Sequence, residues 1–194
     1  MLHTVQFSSP LQLYRITRVA HTNPAYYGRA RTFRFDAPDG SYGVCYFGTS
    51  LGAAFMETLP LALISHSGDR LVESSDLSTR YASLASSNQP LELAFFADDG
   101  LALNGIDLRV TGGDDYNLAQ HWSGAIHAHH SLVDGIFYTS RHHNGLYCVA
   151  LFERAREKVR FEQPHWGVLG DSASRDLFAQ TTALLRRFRV QVHP

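Results

Sequence analysis

A chain of 194 residues with a formal net charge of −1, 44% apolar and 12% aromatic residues is long enough for one domain with its own core, here residues 1–194. This composition excludes an intrinsically disordered protein, and the near-neutral charge argues against a nucleic-acid-binding one. The apolar runs are too short to cross a membrane, and the N-terminus lacks the pattern of a signal peptide, so we expect a cytoplasmic protein.

The predicted elements begin with a strand over residues 11–17, LQLYRIT, in which apolar and polar side chains alternate. A loop rich in turn residues leads to a second strand over residues 42–48, YGVCYFG. Ser50 is placed to cap a helix over residues 51–59, LGAAFMETL.

The middle of the chain predicts two more strands, over residues 70–74 and 91–96, with a short helix over residues 78–86 between them. Asp114 or Asp115 then caps the longest central helix, YNLAQHWSGAIHAHH. Four strands and one helix follow, over residues 134–140, 146–153, 157–162, 173–188 (the helix) and 190–192. Because strands follow strands as well as helices, we predict the α+β class rather than a doubly wound parallel sheet.

The two cysteines, Cys45 and Cys148, each lie in an apolar run typical of a strand. We interpret them as buried thiols of a reducing cytoplasm rather than as a disulfide. Neither stands at a helix start, where a thiolate would be stabilised, so neither is a candidate nucleophile.

Glu57 is the single acid of the helix predicted over residues 51–59. Ala53 and Ala54 lie one turn before it, so small side chains leave the carboxylate open to a ligand on one side. Spacing alone favours the simpler interpretation, a solvated acid on a helix surface.

The first 35 residues contain five arginines and no Asp or Glu; the arginines are Arg15, Arg18, Arg29, Arg31 and Arg34. Guanidinium groups match the oxygens of phosphate or carboxylate, so one or two of them are candidates to bind a small-molecule phosphate. The others are expected to pair with acids from elsewhere in the chain. Arg15 lies within a predicted strand, where it binds a ligand or forms a salt bridge at the sheet rim.

A cluster of histidines makes a zinc site conceivable; its members are His127, His129, His130, His142 and His143. We do not favour it, because the chain has no HExxH motif and no cysteine at ligand spacing. The sequence also lacks a phosphate-binding glycine loop and a G-x-S-x-G nucleophile elbow. Tyr46 and Ser140 lie in predicted strands, Ser140 at a strand end, where site residues and turn residues are both common.

The succession of segments resembles the RES domain family, which is named for its Arg, Glu and Ser. The segments are LYRI, FRFDAPDGSYGVCYFG, AAFMETL, QHWSGAIH and DGIFYTSRHHNGLYCVALFE, in the family's order from residue 11 to residue 153. Members of this family are toxins of bacterial toxin–antitoxin pairs. The resemblance therefore implies a hetero-oligomer with an Xre-like antitoxin, without direct contact to nucleic acid or membrane.

The resemblance also implies an ADP-ribosyltransferase-like fold, with small mixed sheets and helices around a cleft for NAD+. The implied activity is cleavage of the nicotinamide–ribose bond of NAD+, by an NAD glycohydrolase or phosphorylase that needs no metal or other cofactor. The family's Glu, Ser and Tyr fall on Glu57, Ser140 and Tyr46, whereas its Arg falls on either Arg15 or Arg34. We thus expect Glu57, Arg34 and Ser140 to be catalytic, and Arg15, Arg34, Tyr46 and Ser140 to bind NAD+.

The chemistry of this bond agrees with those residue types. Its cleavage develops positive charge on the ribose, which a carboxylate such as Glu57 stabilises. Arginines would bind the pyrophosphate, Tyr46 would stack on nicotinamide, and Ser140 would orient the amide or the ribose.

Three other functions are compatible with the sequence. One is an ADP-ribosyltransferase that modifies a specific protein, and another is a non-catalytic module that binds a nucleotide or a partner. The third is a metal-dependent hydrolase built on the histidines.

Overall fold

A computed structural model describes the chain except for residues 22, 60–62, 65–69 and 163–165. The strands are β1 (Thr4–Phe7), β2 (Gln12–Arg18), β3 (Val44–Gly48), β4 (Leu63–Ile64), β5 (Arg70–Glu73), β6 (Arg80–Ser87), β7 (Leu91–Phe96), β8 (Gly135–Thr139), β9 (Tyr147–Phe152), β10 (Val159–Phe161), β11 (Gly167–Val168) and β12 (Val190–His193). The helices are α1 (Leu51–Thr58), α2 (Ser74–Ser78), α3 (Asp99–Leu103), α4 (Arg109–Gly112), α5 (Tyr116–His129) and α6 (Arg175–Arg187), with a 3₁₀ segment at Glu153–Lys158.

The strands form two mixed sheets. The larger has nine strands in the order β1-β7-β8-β9-β3-β2-β6-β10, with β11 also pairing with β6. Among its described strands, only β7 and β8 are parallel neighbours. The smaller sheet has the order β12-β5-β4, with β12 parallel to β5. The predicted α+β class is confirmed.

The larger sheet buries apolar side chains on both faces. Along β3, Val44 and Tyr46 belong to a cluster that also contains residues of α1, α5 and α6, and we call this side the helical face. Cys45 and Phe47 belong to the cluster on the opposite face. This alternation follows from the two-residue period of a strand, and it decides which side chains can share a site.

Cys45 and Cys148 are both buried and free, as predicted. Among the residues that the structure describes, no helix has both the length and the apolarity needed to cross a membrane.

The helix predicted over residues 78–86 is wrong, because Arg80–Ser87 form β6. Residues Gln12–Arg18 of β2 pair antiparallel with this segment along their whole length, and β10 and β11 pair with its other edge. Ala and Leu favour a helix, but by less than about 1 kcal/mol per residue, so hydrogen bonding to neighbouring strands on both sides outweighs that preference.

Candidate active site

Helix α1 carries Glu57 to the surface. The side chain of Ser50 caps the helix by accepting a hydrogen bond from the backbone N–H of Ala53 at 3.1 Å, as the sequence predicted. The six residues from 51 to 56 are all buried, and Glu57 is the first exposed one. The carboxylate therefore stands at the end of a buried helix.

Ser140 holds the carboxylate of Glu57. It follows β8 directly, is 1% exposed, and its hydroxyl donates a hydrogen bond of 2.6 Å to Oε1 of Glu57. The backbone N–H of His142 donates to the same hydroxyl at 3.2 Å. Burial lowers the pKa of His142, while the carboxylate of Glu57 acts on it in the opposite direction. The structure thus brings together the predicted Glu and Ser from positions 83 residues apart.

Arg34 lies buried on the same face. Its Nη1 donates to the carbonyl oxygens of Gly113 at 2.8 Å and of Val110 at 3.4 Å, and its guanidinium lies 4.6 Å from the ring centre of Tyr116. Its Nη2 is buried and has no hydrogen-bond partner among the described residues. Burial lowers the pKa of Arg34, whereas the charge of Glu57 acts to raise it. A buried arginine with an unused donor is suited to bind an anion.

Asp36 and Tyr46 accept hydrogen bonds from backbone N–H groups of the loop over residues 31–36, which carries Arg34. Oδ2 of Asp36 accepts hydrogen bonds from the N–H groups of Thr32 and Phe33, both at 3.0 Å. The hydroxyl of Tyr46 donates to Oδ1 of Asp36 and accepts from the N–H of Phe35, both at 2.9 Å. Burial raises the pKa of the Asp36 carboxyl, and these hydrogen bonds act to lower it.

Helix α5 holds the carbonyl groups of the same loop. Nε2 of Gln120 donates to the carbonyl oxygens of Arg31 at 3.1 Å and Phe33 at 3.0 Å. The hydroxyl of Ser123 donates to the carbonyl oxygen of Phe35 at 2.7 Å. Four side chains therefore determine the path of this loop, and with it the position of Arg34.

Tyr46 contributes both a hydroxyl and a ring. Its hydroxyl is used within the loop, and its ring lies 5.6 Å from the ring of Phe33, which is 58% exposed. These two rings provide an aromatic surface beside Arg34.

Arg15 lies on the other face of the larger sheet. Its Nη1 donates to the carbonyl oxygen of Tyr26 at 3.1 Å and contacts the Sγ of Cys45, and its guanidinium is 6.0 Å from the ring of Phe47. The structure therefore groups Glu57, Ser140, Arg34 and Tyr46 on the helical face and leaves Arg15 apart from them.

The histidines considered for a zinc site form no such site among the residues that the structure describes. His127 stacks on Tyr42, with ring centres 3.7 Å apart, and burial lowers its pKa to about 4. Within the described parts of the chain, no three His, Cys, Asp or Glu side chains are arranged to hold a metal ion.

Four residues near this site were not identified from the sequence: Asp36, Gln120, Ser123 and Arg141. Gln120 and Ser123 lie three residues apart among the buried positions of α5, so polar residues within a buried helix face were the available signal. Asp36 follows Arg34 by two residues, in a position where Asp commonly accepts backbone hydrogen bonds. Arg141 adjoins Ser140, but nothing in the turn sequence indicated where its side chain lies.

Three similarities to known proteins concern the family and the fold of this chain. The family model for the RES domain matches residues 12–171. "Probable toxin y4kH" of Sinorhizobium fredii (strain NBRC 101917 / NGR234) is 39% identical over 72 residues, which are 37% of this chain and 56% of that protein. The chain thus spans about half the length of this curated relative.

The third similarity is to a chain in the crystal structure of the M. tuberculosis MbcT–MbcA toxin–antitoxin complex. The TM-score is 0.66 at 15% identity, and the match covers 90% of this chain and 92% of that one. At this identity the likeness concerns the fold alone, and the α+β fold of this chain is thus shared with a chain of a toxin–antitoxin complex.

Proposed function

Because the chain belongs to the RES domain family, whose model covers residues 12–171, we propose that it is a toxin that cleaves the nicotinamide–ribose bond of NAD+. The observation that carries this proposal is the exposed carboxylate of Glu57, held by Ser140 on the same face as buried Arg34. The fold shared with a toxin–antitoxin chain and the similarity to a probable toxin also support it.

The proposed reaction breaks the bond between the ribose C1′ and the nicotinamide nitrogen. The bonding electron pair goes to nicotinamide, which leaves as a neutral molecule, and the ribose takes on oxocarbenium character. The negative charge of Glu57 stabilises this cation, and Ser140 fixes the direction of the carboxylate. Water or phosphate then adds to C1′ and releases its proton to solvent, which makes the enzyme a glycohydrolase or a phosphorylase.

The neighbouring residues support binding of a dinucleotide. Nη2 of Arg34, which has no partner in the described part of the chain, suits a phosphate oxygen, and the aromatic surface of Phe33 and Tyr46 suits a planar base. Arg15 is left out of this proposal because its side chain lies on the opposite face. No step of the reaction requires a metal ion.

Purified protein incubated with NAD+ labelled in its adenylate half tests the activity. We expect free nicotinamide and labelled ADP-ribose, or its 1-phosphate when phosphate is present, to appear in equal amounts. Label on protein after addition of a cell lysate would instead identify an ADP-ribosyltransferase with a protein acceptor. NAD+ that survives incubation would identify a binding module and contradict the proposal.

The proposed partner is an antitoxin of the Xre type, and the proposed location is the cytoplasm, where the NAD+ pool is accessible. The similarity to a chain solved within a toxin–antitoxin complex supports such a partner. Co-expression with the product of the adjacent gene should yield one complex on size-exclusion chromatography. Elution of the two proteins as separate species would count against the partnership.

A further inference from the structure

The turn after β8 places a second arginine near the candidate site. Arg141 follows Ser140, and its Nη2 lies 2.7 Å from Oδ1 of Asp114. Its Nη1 lies 3.5 Å from the hydroxyl of Tyr116. The side chain of Arg141 is 30% exposed, whereas that of Asp114 is 90% exposed. Arg141 is thus held at the edge of the site by an acid that extends into solvent.

Arg34 and Arg141 both contact the side chain of Tyr116. The guanidinium of Arg34 lies over the ring of Tyr116, and that of Arg141 lies at its hydroxyl. The positive charge of Arg141 acts to lower the pKa of Arg34, which reflects the proximity of two like charges. Two neighbouring cations repel each other, and an anion that lies between or beside them offsets this repulsion.

The existing partners leave this pair of cations only partly neutralised. Nη2 of Arg34 is buried without a partner among the described residues, and its Nη1 bonds to neutral carbonyl groups. Among the described residues, Arg141 pairs with the carboxylate of Asp114, and an exposed ion pair contributes little because solvent screens it. A ligand with two adjacent negative charges would satisfy both guanidinium groups at once.

We propose that Arg141 is a second anion-binding residue. Together with Arg34 it binds the pyrophosphate of the dinucleotide, and it releases Asp114 when this ligand binds. This inference rests on the proposed function for the identity of the ligand. It assigns the second cationic position to the turn after β8 rather than to Arg15 in the first part of the chain.

Two substitutions each remove the ion pair between Arg141 and Asp114. They distinguish a binding role of Arg141 from a structural one, because only a binding role predicts opposite changes in KM. Arg141→Gln removes the cation, so KM for NAD+ should rise by about tenfold or more with kcat little changed. Asp114→Asn frees the cation from its competitor, so KM should fall by about two- to threefold. A purely structural ion pair would make the two variants change in the same direction.

Arg109→Gln is the matched control. Arg109 forms a similar exposed ion pair with Asp107 at 2.7 Å, and its change should leave KM and kcat unaltered. Equal KM values for Arg141→Gln and wild type, or parallel shifts in the Arg141 and Asp114 variants, would overturn the inference.

Binding of ADP-ribose, measured by calorimetry, separates this inference from the proposed function. Wild-type protein that releases nicotinamide, with ADP-ribose affinity unchanged in Arg141→Gln, would refute the inference and leave the function standing. Wild-type protein that spares NAD+ but binds ADP-ribose at least about tenfold more tightly than Arg141→Gln would refute the function and support the anion site.

Discussion

At the level of single residues, the position of Glu57 follows from the burial of the helix before it. Six consecutive buried residues fix α1 against the sheet, so its last turn emerges at the surface with the carboxylate exposed. The hydroxyl of Ser140 then selects one orientation of that carboxylate. Exposure to a ligand and a fixed direction are both needed to stabilise charge that develops on a sugar.

Ser140→Ala should lower kcat for NAD+ cleavage by about tenfold or more, because a hydrogen bond to a charged group is lost. KM should change little, since Arg34 and the aromatic surface remain. Steady-state kinetics with NAD+ provide the measurement.

Ser87→Ala is the control for this change. Ser87 is 2% exposed and accepts a hydrogen bond of 2.9 Å from the N–H of Leu11, between strands away from Glu57. Ser87→Ala should lower the free energy of unfolding by an amount comparable to that for Ser140→Ala and leave kcat for NAD+ cleavage unchanged. A wild-type kcat for Ser140→Ala would show that the hydroxyl does not orient the carboxylate.

Individual site residues could be predicted from the sequence to different degrees. The family resemblance directed attention to Glu57 and Ser140, and the structure joins them by a hydrogen bond. It left both Arg15 and Arg34 as candidates for the family's arginine, because the face on which a strand residue lies depends on pairing with other strands. Arg141 was missed since a turn sequence does not specify the direction of its side chains.

At the level of elements, the loop over residues 31–36 depends on α5 and β3 for its shape. Gln120 and Ser123 from the helix hold its carbonyl groups, and Tyr46 from the strand holds Phe35 N–H and Asp36. The loop has few backbone hydrogen bonds of its own, so these side chains fix where Arg34 emerges.

Gln120→Leu should lower the free energy of unfolding by about 1–3 kcal/mol, because two carbonyl groups lose their donor. It should also raise KM for NAD+, since the loop that positions Arg34 is less well held. Urea unfolding and steady-state kinetics test the two parts separately.

Gln180→Leu makes the same chemical change on the exposed surface of α6 and should leave KM unaltered. An unstable Gln120→Leu variant with a wild-type KM would mean that the loop is held for stability alone. A raised KM in both variants would point to a general effect of the substitution.

Elements with a strong local pattern were predicted well. The apolar and polar periodicity of α5 and α6, and the apolar runs of β3, β8 and β9, gave their positions within a few residues. The segment at Arg80–Ser87 was misassigned, because its small residues have no strong preference and its strand character comes from β2, β10 and β11. Strand β1 was missed because it is short and pairs only with β7 along the described chain.

At the level of the whole molecule, the larger sheet assembles the candidate site from distant parts of the chain. Strand β9 lies between β3 and β8, so the helix after β3 and the turn after β8 reach the same end of the structure. No local pattern predicts this order, which long-range pairing determines. The family resemblance indicated the result of this strand order, because it places Glu57 and Ser140 in one site.

The most direct test of the proposed chemistry is the rate of nicotinamide release from NAD+ by Glu57→Gln, which keeps the size of the side chain and removes its charge. Release should fall by at least about a hundredfold relative to wild type, with the melting temperature little changed. Glu157→Gln, the same change at an exposed site in the 3₁₀ segment, should release nicotinamide at the wild-type rate. Release by Glu57→Gln at the wild-type rate would contradict the role assigned to this carboxylate.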